Sequence, residues 1–123
     1  MSQDIVADVL NEIMNAKRAG KKNLVVKKNS KLIRNVLDIA KNKGYIDYSA
    51  EGNEIKIEIK KLNEFRSVKP RFTVSVDNIN RYVRRFLPAR NFGFVIISTN
   101  QGLMDHYEAE EKNIGGCLIA YIF

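Results

Sequence analysis

The 123-residue chain has a single cysteine, Cys117, and a single histidine, His106. One thiol can neither close an intrachain disulfide nor complete a cysteine-based metal site, so a disulfide framework and thiol redox chemistry are not expected. One imidazole excludes metal sites that need two or three histidines, and any His-paired nucleophile would have to be built around His106. Asp105 and Glu108 could join it at a metal, but their spacing is accounted for first as helix capping. No apolar run approaches the roughly 18 residues of a membrane span, and the amino terminus lacks the basic flank and apolar stretch of a secretory signal. A cytoplasmic protein with no membrane association is therefore expected. Gly93, Gly102, Gly115 and Gly116 fit neither the phosphate-loop pattern nor the dinucleotide fingerprint. No spacing among the 14 acidic residues singles out a general acid and base. Neither an enzyme nor a cofactor is expected.

What the chain does have is positive charge, unevenly spread. Its 21 Lys plus Arg against 14 Asp plus Glu give a net +7 and a pI near 9.6. Residues 17–43 carry ten basic side chains and one acidic one, and residues 67–90 carry six and one, while the remaining segments are acidic on balance. Two such blocks can form a footprint for RNA or DNA phosphates, or can simply be solvated surface.

Apolar residues make up 45% of the chain, enough for an ordered core, and their spacing changes along it. Between Asp4 and Ala19, the residues Ile5, Val6, Val9, Leu10, Ile13 and Met14 recur at helical intervals, with Asp4 suited to cap the start and Gly20 the end. Leu24 to Val26 reads as a short strand. Ser30 is the candidate cap of a second helix whose stripe is Leu32, Ile33, Val36, Leu37 and Ala40, stopped at Gly44. A strand is expected over Tyr45–Tyr48 and, after a turn at Glu51-Gly52-Asn53, another in which Ile55, Ile57 and Ile59 alternate with charged residues.

The pattern weakens between Phe65 and Pro70, where one lobe, residues 1–65, gives way to a second, residues 66–123. The second lobe is read as an extended segment from Arg71 to Val76 and a helix capped by Asp77 and ended by Pro88. On that helix Ile79, Tyr82, Val83 and Phe86 share one face and Arg81, Arg84 and Arg85 another; the arginines suit phosphate contact or plain solvation. Phe92–Ile97 reads as a central strand covered on both faces. Ser98 to Gly102 is then expected to be a loop, Asp105 and Glu108 to cap a short acidic helix, and Cys117–Phe123 to close the sheet, with Cys117 packing as a small hydrophobe. The fold class is α+β: a first lobe of helix, strand, helix, strand, strand, and a second with a mostly antiparallel sheet and short helices.

Ser98, Thr99, Asn100 and Gln101 place two hydroxyls and two carboxamides together ahead of Gly102. Such uncharged groups donate and accept hydrogen bonds, which suits the exposed base edges and ribose hydroxyls of irregular RNA. A polar hairpin turn would have the same composition.

The run Gly93-Phe94-Val95-Ile96-Ile97-Ser98-Thr99-Asn100-Gln101-Gly102-Leu103-Met104, with Glu108-Ala109 after it, resembles the carboxy-terminal signature of the ribosomal protein S8 family. Matches continue in order through Asp4–Ala16, Ser30-Lys31-Leu32-Ile33, Gly44-Tyr45-Ile46 and Gly115-Gly116 to Phe123. Lys69-Pro70-Arg71-Phe72 and Leu87-Pro88-Ala89-Arg90 resemble the archaeal and eukaryotic branch. This resemblance implies a two-lobed α+β protein of the small ribosomal subunit, a monomer when free. Its partners would be the central domain of small-subunit ribosomal RNA, bound early in assembly, and neighbouring small-subunit proteins. It further implies base and ribose contacts at Ser98, Thr99 and Asn100, with Gln101 in the same loop, the turn at Gly102, and backbone contacts around Lys27, Lys28, Ser30 and Lys31. Arg84 and Arg85 are added from the charge pattern. Cys117 stands where many members carry a charged residue, so no contact is transferred to it. The alternative is a free-standing, sequence-specific nucleic-acid-binding regulator, against which the strands separating the two basic helices already argue.

Overall fold

The computed structural model describes residues 5–27, 29–68, 73–88 and 92–123. They form two compact units, Met1–Arg66 and Ser67–Phe123.

In the first unit, α1 (Ile5–Arg18) buries Val6, Val9, Leu10, Ile13 and Met14 along one stripe. The helix ends because Gly20 takes a left-handed conformation (φ 78°). Its N–H then donates to the Lys17 carbonyl at 3.0 Å and that of Lys21 to Ala16 at 2.9 Å. The next elements are β1 (Asn23–Val26) and α2 (Lys31–Asn42), and α2 ends in the same way at Gly44. The hairpin of β2 (Ile46–Glu51) and β3 (Glu54–Ile59) turns at Gly52-Asn53, so Glu51 lies inside the strand and not in the turn. β3 is the central strand of an antiparallel sheet in the order β1-β3-β2. Its alternation is as the sequence implied: Ile55, Ile57 and Ile59 are buried while Glu54, Lys56 and Glu58 are exposed. Each such isoleucine contributes about 1.5–3 kcal/mol of burial.

The second unit holds β5, β6, β7 and β8 of a sheet whose order is β4-β8-β6-β7, with β5 also pairing to β8. These strands are β4 (Phe65–Ser67), β5 (Thr73–Val74), β6 (Phe94–Thr99), β7 (Gly102–Asp105) and β8 (Gly116–Ile122). The core gathers Val74, Ile79, Val83, Leu87, Val95, Ile97, Met104, Ala109 and Leu118. α3 (Ile79–Phe86) buries Ile79 and Val83 and stops where Leu87 is extended ahead of Pro88, which disfavours the helical region for its predecessor.

Several expectations need correction. Asp77 does not cap α3: the chain is already wound into a 3-10 turn, Val76–Asn78, begun by the extended Ser75, so Asp77 lies inside the turn and Asn78 precedes the helix. For the same reason the extended segment expected to reach Val76 ends earlier, at Val74. Ser98 and Thr99 are strand residues, and β7 and β4 were not anticipated. The expected cap Asp4 lies outside the described residues, as do Lys28, residues 69–72, and Ala89 and Arg90.

Candidate nucleic-acid interface

The polar run Ser98–Gly102 is the tip of the β6–β7 hairpin. Ser98 pairs with Leu103 on one side and Cys117 on the other, and Thr99 pairs with Gly102. Strand pairing uses backbone groups and is indifferent to side-chain polarity, which is why β6 continues two residues past its apolar stretch. Asn100 and Gln101 make the turn, and Gly102 takes the left-handed position at φ 107°. The Thr99 side chain binds this turn together: its hydroxyl donates to the Gly102 carbonyl at 2.8 Å and accepts the Gln101 N–H at 3.1 Å. Asn100 and Gln101 are exposed and Ser98 is half-buried, and none of their side chains is bonded to another described residue.

Behind the tip the backbone is packed without slack. A Cβ on Gly116 would lie 2.3 Å from the Ser98 carbonyl oxygen and 2.9 Å from Ile97 Cγ2. One on Gly115 would lie 2.5 Å from the Val74 carbonyl oxygen. The paired glycines thus let β8 approach β5 and β6 closely. At the other end of β7, Asp105 accepts the Glu108 N–H at 2.9 Å and caps α4 (His106–Glu111), as its spacing implied. His106 is 2% exposed, and its Nδ1 accepts the Val95 N–H at 3.1 Å. The imidazole is thereby committed to the core, and among the described residues no group of three His, Cys, Asp or Glu could hold a metal ion.

Arg84 and Arg85 are exposed on α3 of the same unit, with the Arg85 guanidinium 5.3 Å from the centre of the Tyr82 ring. The arginines sit opposite the buried Ile79 and Val83, as the helical spacing implied.

The first unit holds Lys27, Ser30 and Lys31 at the start of α2. Lys27 and Lys31 are exposed, whereas Ser30 serves first as the helix cap, its Oγ accepting the Ile33 N–H at 3.3 Å. A clasp not anticipated from the sequence fixes this loop. Asn29 donates to the Gly52 carbonyl at 2.7 Å and accepts from the Arg34 guanidinium at 2.6 Å. An asparagine next to a capping serine was its only sequence signal. Nearby, the Tyr48 hydroxyl donates to Asp38, and burial together with that bond pushes its pKa up to about 12. Lys41, 3.3 Å from Asp47, holds that carboxyl below its ordinary range, helped by the Tyr48 N–H.

The two units thus define a small α+β protein with a net charge of +7, with no helix among the described residues long and apolar enough to cross a membrane. A family model described as ribosomal protein S8 matches residues 4–123. Small ribosomal subunit protein uS8 of Nanoarchaeum equitans is 42% identical over 129 aligned residues, covering 100% of both chains. Its counterpart from Caldivirga maquilingensis is 32% identical over 126, covering 98% of this chain and 97% of the relative. The chain belongs to the ribosomal protein S8 family, in its archaeal branch.

Proposed function

We propose that this chain is a structural constituent of the small ribosomal subunit that binds the central domain of small-subunit ribosomal RNA and helps its assembly. The second unit, taken as residues 66–123, carries the main contact. Full-length similarity to proteins named for the small ribosomal subunit supports the assignment, which would place the protein in the cytoplasm among neighbouring subunit proteins. The observation that carries the site is the β6–β7 tip: a turn closed by Thr99 from within leaves Asn100 and Gln101 exposed, with Ser98 beside them. Carboxamides held on a rigid turn offer donors and acceptors to base edges without losing much conformational freedom on binding. Lys27, Lys28, Lys31, Arg84 and Arg85 supply phosphate contacts, which set position and salt dependence but carry no sequence information. Ser30 and Gly102 act by holding the backbone in place.

The test is Asn100→Ala against a central-domain transcript and a scrambled one. Removing a neutral hydrogen bond so that its RNA partner is stranded costs about 1–3 kcal/mol, a roughly 5- to 150-fold fall in affinity. That fall is expected on the cognate RNA alone, with the salt slope and the melting temperature unchanged. Equal falls on both transcripts would reduce Asn100 to a non-specific contact.

A further inference from the structure

Side chains tie the β6–β7 hairpin at both of its ends. At the tip the Thr99 hydroxyl closes the turn. At the open end, backbone pairing runs from Thr99↔Gly102 only as far as Ile96↔Asp105, so Val95 and His106 would form the next rung. β7 stops short of it, because Asp105 caps α4 and turns the backbone out of the sheet. The imidazole of His106 takes the missing place, its Nδ1 accepting the Val95 N–H at 3.1 Å. Both residues are sealed from water, Val95 at 0% and His106 at 2% exposure. Solvent therefore cannot stand in for the ring, and a buried N–H left without a partner is costly.

An acceptor nitrogen must be unprotonated. With Nδ1 turned to the Val95 N–H, the ring carries its one proton on Nε2, and a second proton on Nδ1 would set N–H against N–H. The elements packed against α4 are α3, β6 and β7. β6 has no titratable side chain, and β7 has only Asp105, whose carboxylate accepts the Glu108 N–H. α3 brings Arg81, Tyr82, Arg84 and Arg85, and β8, paired to β6, brings Cys117 and Tyr121. α4 itself adds Glu108, Glu110, Glu111 and Tyr107, whose ring centre lies 4.0 Å from that of the imidazole. The carboxylates favour an imidazolium and the arginines oppose it, but neither returns an acceptor to Val95.

We propose that His106 is a pH-sensitive latch on the β6–β7 hairpin: its neutral imidazole completes the last rung, and protonation releases that rung and loosens the hairpin that presents Asn100 and Gln101. The consequence for binding rests on the reading of this hairpin as an RNA site, whereas the latch is a property of the free protein.

The test uses the full chain. Hydrogen exchange at the Val95 amide, corrected for its intrinsic rate, is followed in the free protein from neutral pH down to about pH 5, and cognate RNA affinity is measured at neutral pH. An opened hairpin takes up a proton near the ordinary imidazole pKa of about 6.5. Protection of Val95 in the parent should therefore be steady above that value and fall as pH drops below it, by up to about tenfold per pH unit. His106→Asn sets an oxygen two bonds from Cβ, where Nδ1 lies, and has no proton to gain. Its protection should stay flat over the same range, with cognate affinity close to parental. His106→Leu removes the acceptor and should lose both the protection, at every pH, and cognate affinity; where it does not fold, His106→Asn decides alone. If the parent and His106→Asn share one pH profile, the latch is overturned. A leucine variant that exchanges Val95 freely yet binds cognate RNA like the parent overturns its link to the tip. Asn100→Ala is measured in parallel: if it binds like the parent, the hairpin reading fails, while the exchange profile still decides the latch.

Discussion

The Thr99 hydroxyl donates to the carbonyl oxygen of Gly102 at 2.8 Å, so its only proton is spent inside the hairpin turn. Thr99 therefore holds the turn in shape, in addition to the RNA contact expected of it. Thr99→Val keeps the shape and removes both hydrogen bonds. At this exposed site they are worth about 1 kcal/mol together, the low end for such bonds. A melting temperature lower by a few degrees and a weaker cognate affinity should appear together, and Thr99→Ser should recover both. Unchanged melting with weakened binding would make Thr99 a direct contact instead.

How much of this was legible in the sequence depends on whether side chains or backbone decide the structure. Ile55, Ile57 and Ile59 announced a half-buried strand because alternation is a side-chain property. Ser30 and Asp105 announced their helices because a capping oxygen must lie within three residues of the N–H it accepts. Ser98 and Thr99 read as loop because their strand pairing, to Leu103, Cys117 and Gly102, is made by backbone groups that polarity does not reveal. Asn113, an asparagine where glycine is the commoner stop signal, sits at φ 57° and ends α4, with Ile114 donating to the Ala109 carbonyl at 2.9 Å. The clasp from Asn29 to Gly52 spans 23 residues, so beyond the asparagine beside the capping serine no local pattern pointed to it.

Gly116→Ala should harm the site from behind. The new methyl would lie 2.3 Å from the Ser98 carbonyl oxygen, and a strand carbonyl cannot rotate aside as a flexible side chain could. The strands must part, at a cost of about 1–3 kcal/mol typical of overpacking. Because β6 carries the hairpin, cognate RNA affinity measured well below the melting transition should also fall. Gly52→Ala is the control: nothing lies within 4 Å of its Cβ position, so the penalty there comes only from its φ of 59°. Equal RNA affinity in the two variants would argue against coupling between Gly116 and the tip.

Tyr48 predicts an alkaline limb in stability. Its pKa is raised from 10.0 to about 12 by burial and by the bond to Asp38. Between those values the unfolded chain releases the phenolic proton while the folded one keeps it, so stability falls as pH rises through that window. Below about pH 10 the contribution is complete. Denaturant titrations of parent and Tyr48→Phe across the window isolate the effect from other titrating groups. The difference between them should shrink as pH rises, and a constant difference would mean that Tyr48 ionises as it does in the unfolded chain.

Arg84 and Arg85 test whether the exposed face of α3 meets phosphate. Replacing both by Ala should lower the log-log salt slope by about 1.4–1.8 if each makes one contact, and should do so on cognate and scrambled RNA alike, because phosphates carry no sequence. The two residues are not equivalent. Arg85 lies over the Tyr82 ring at 5.3 Å, an exposed cation–π contact worth about 0.5–1 kcal/mol, so Arg85→Ala should also lower the melting temperature slightly. Among the described residues no ring lies under the Arg84 guanidinium in this way, so Arg84→Ala gives the cleaner reading, with no cation–π component to subtract. Arg84→Lys preserves the charge and should retain the slope. If Arg84→Ala leaves slope and affinity as they were, this face of α3 is turned to solvent or to a protein neighbour, and the phosphate contacts of the second unit must be sought elsewhere on its surface.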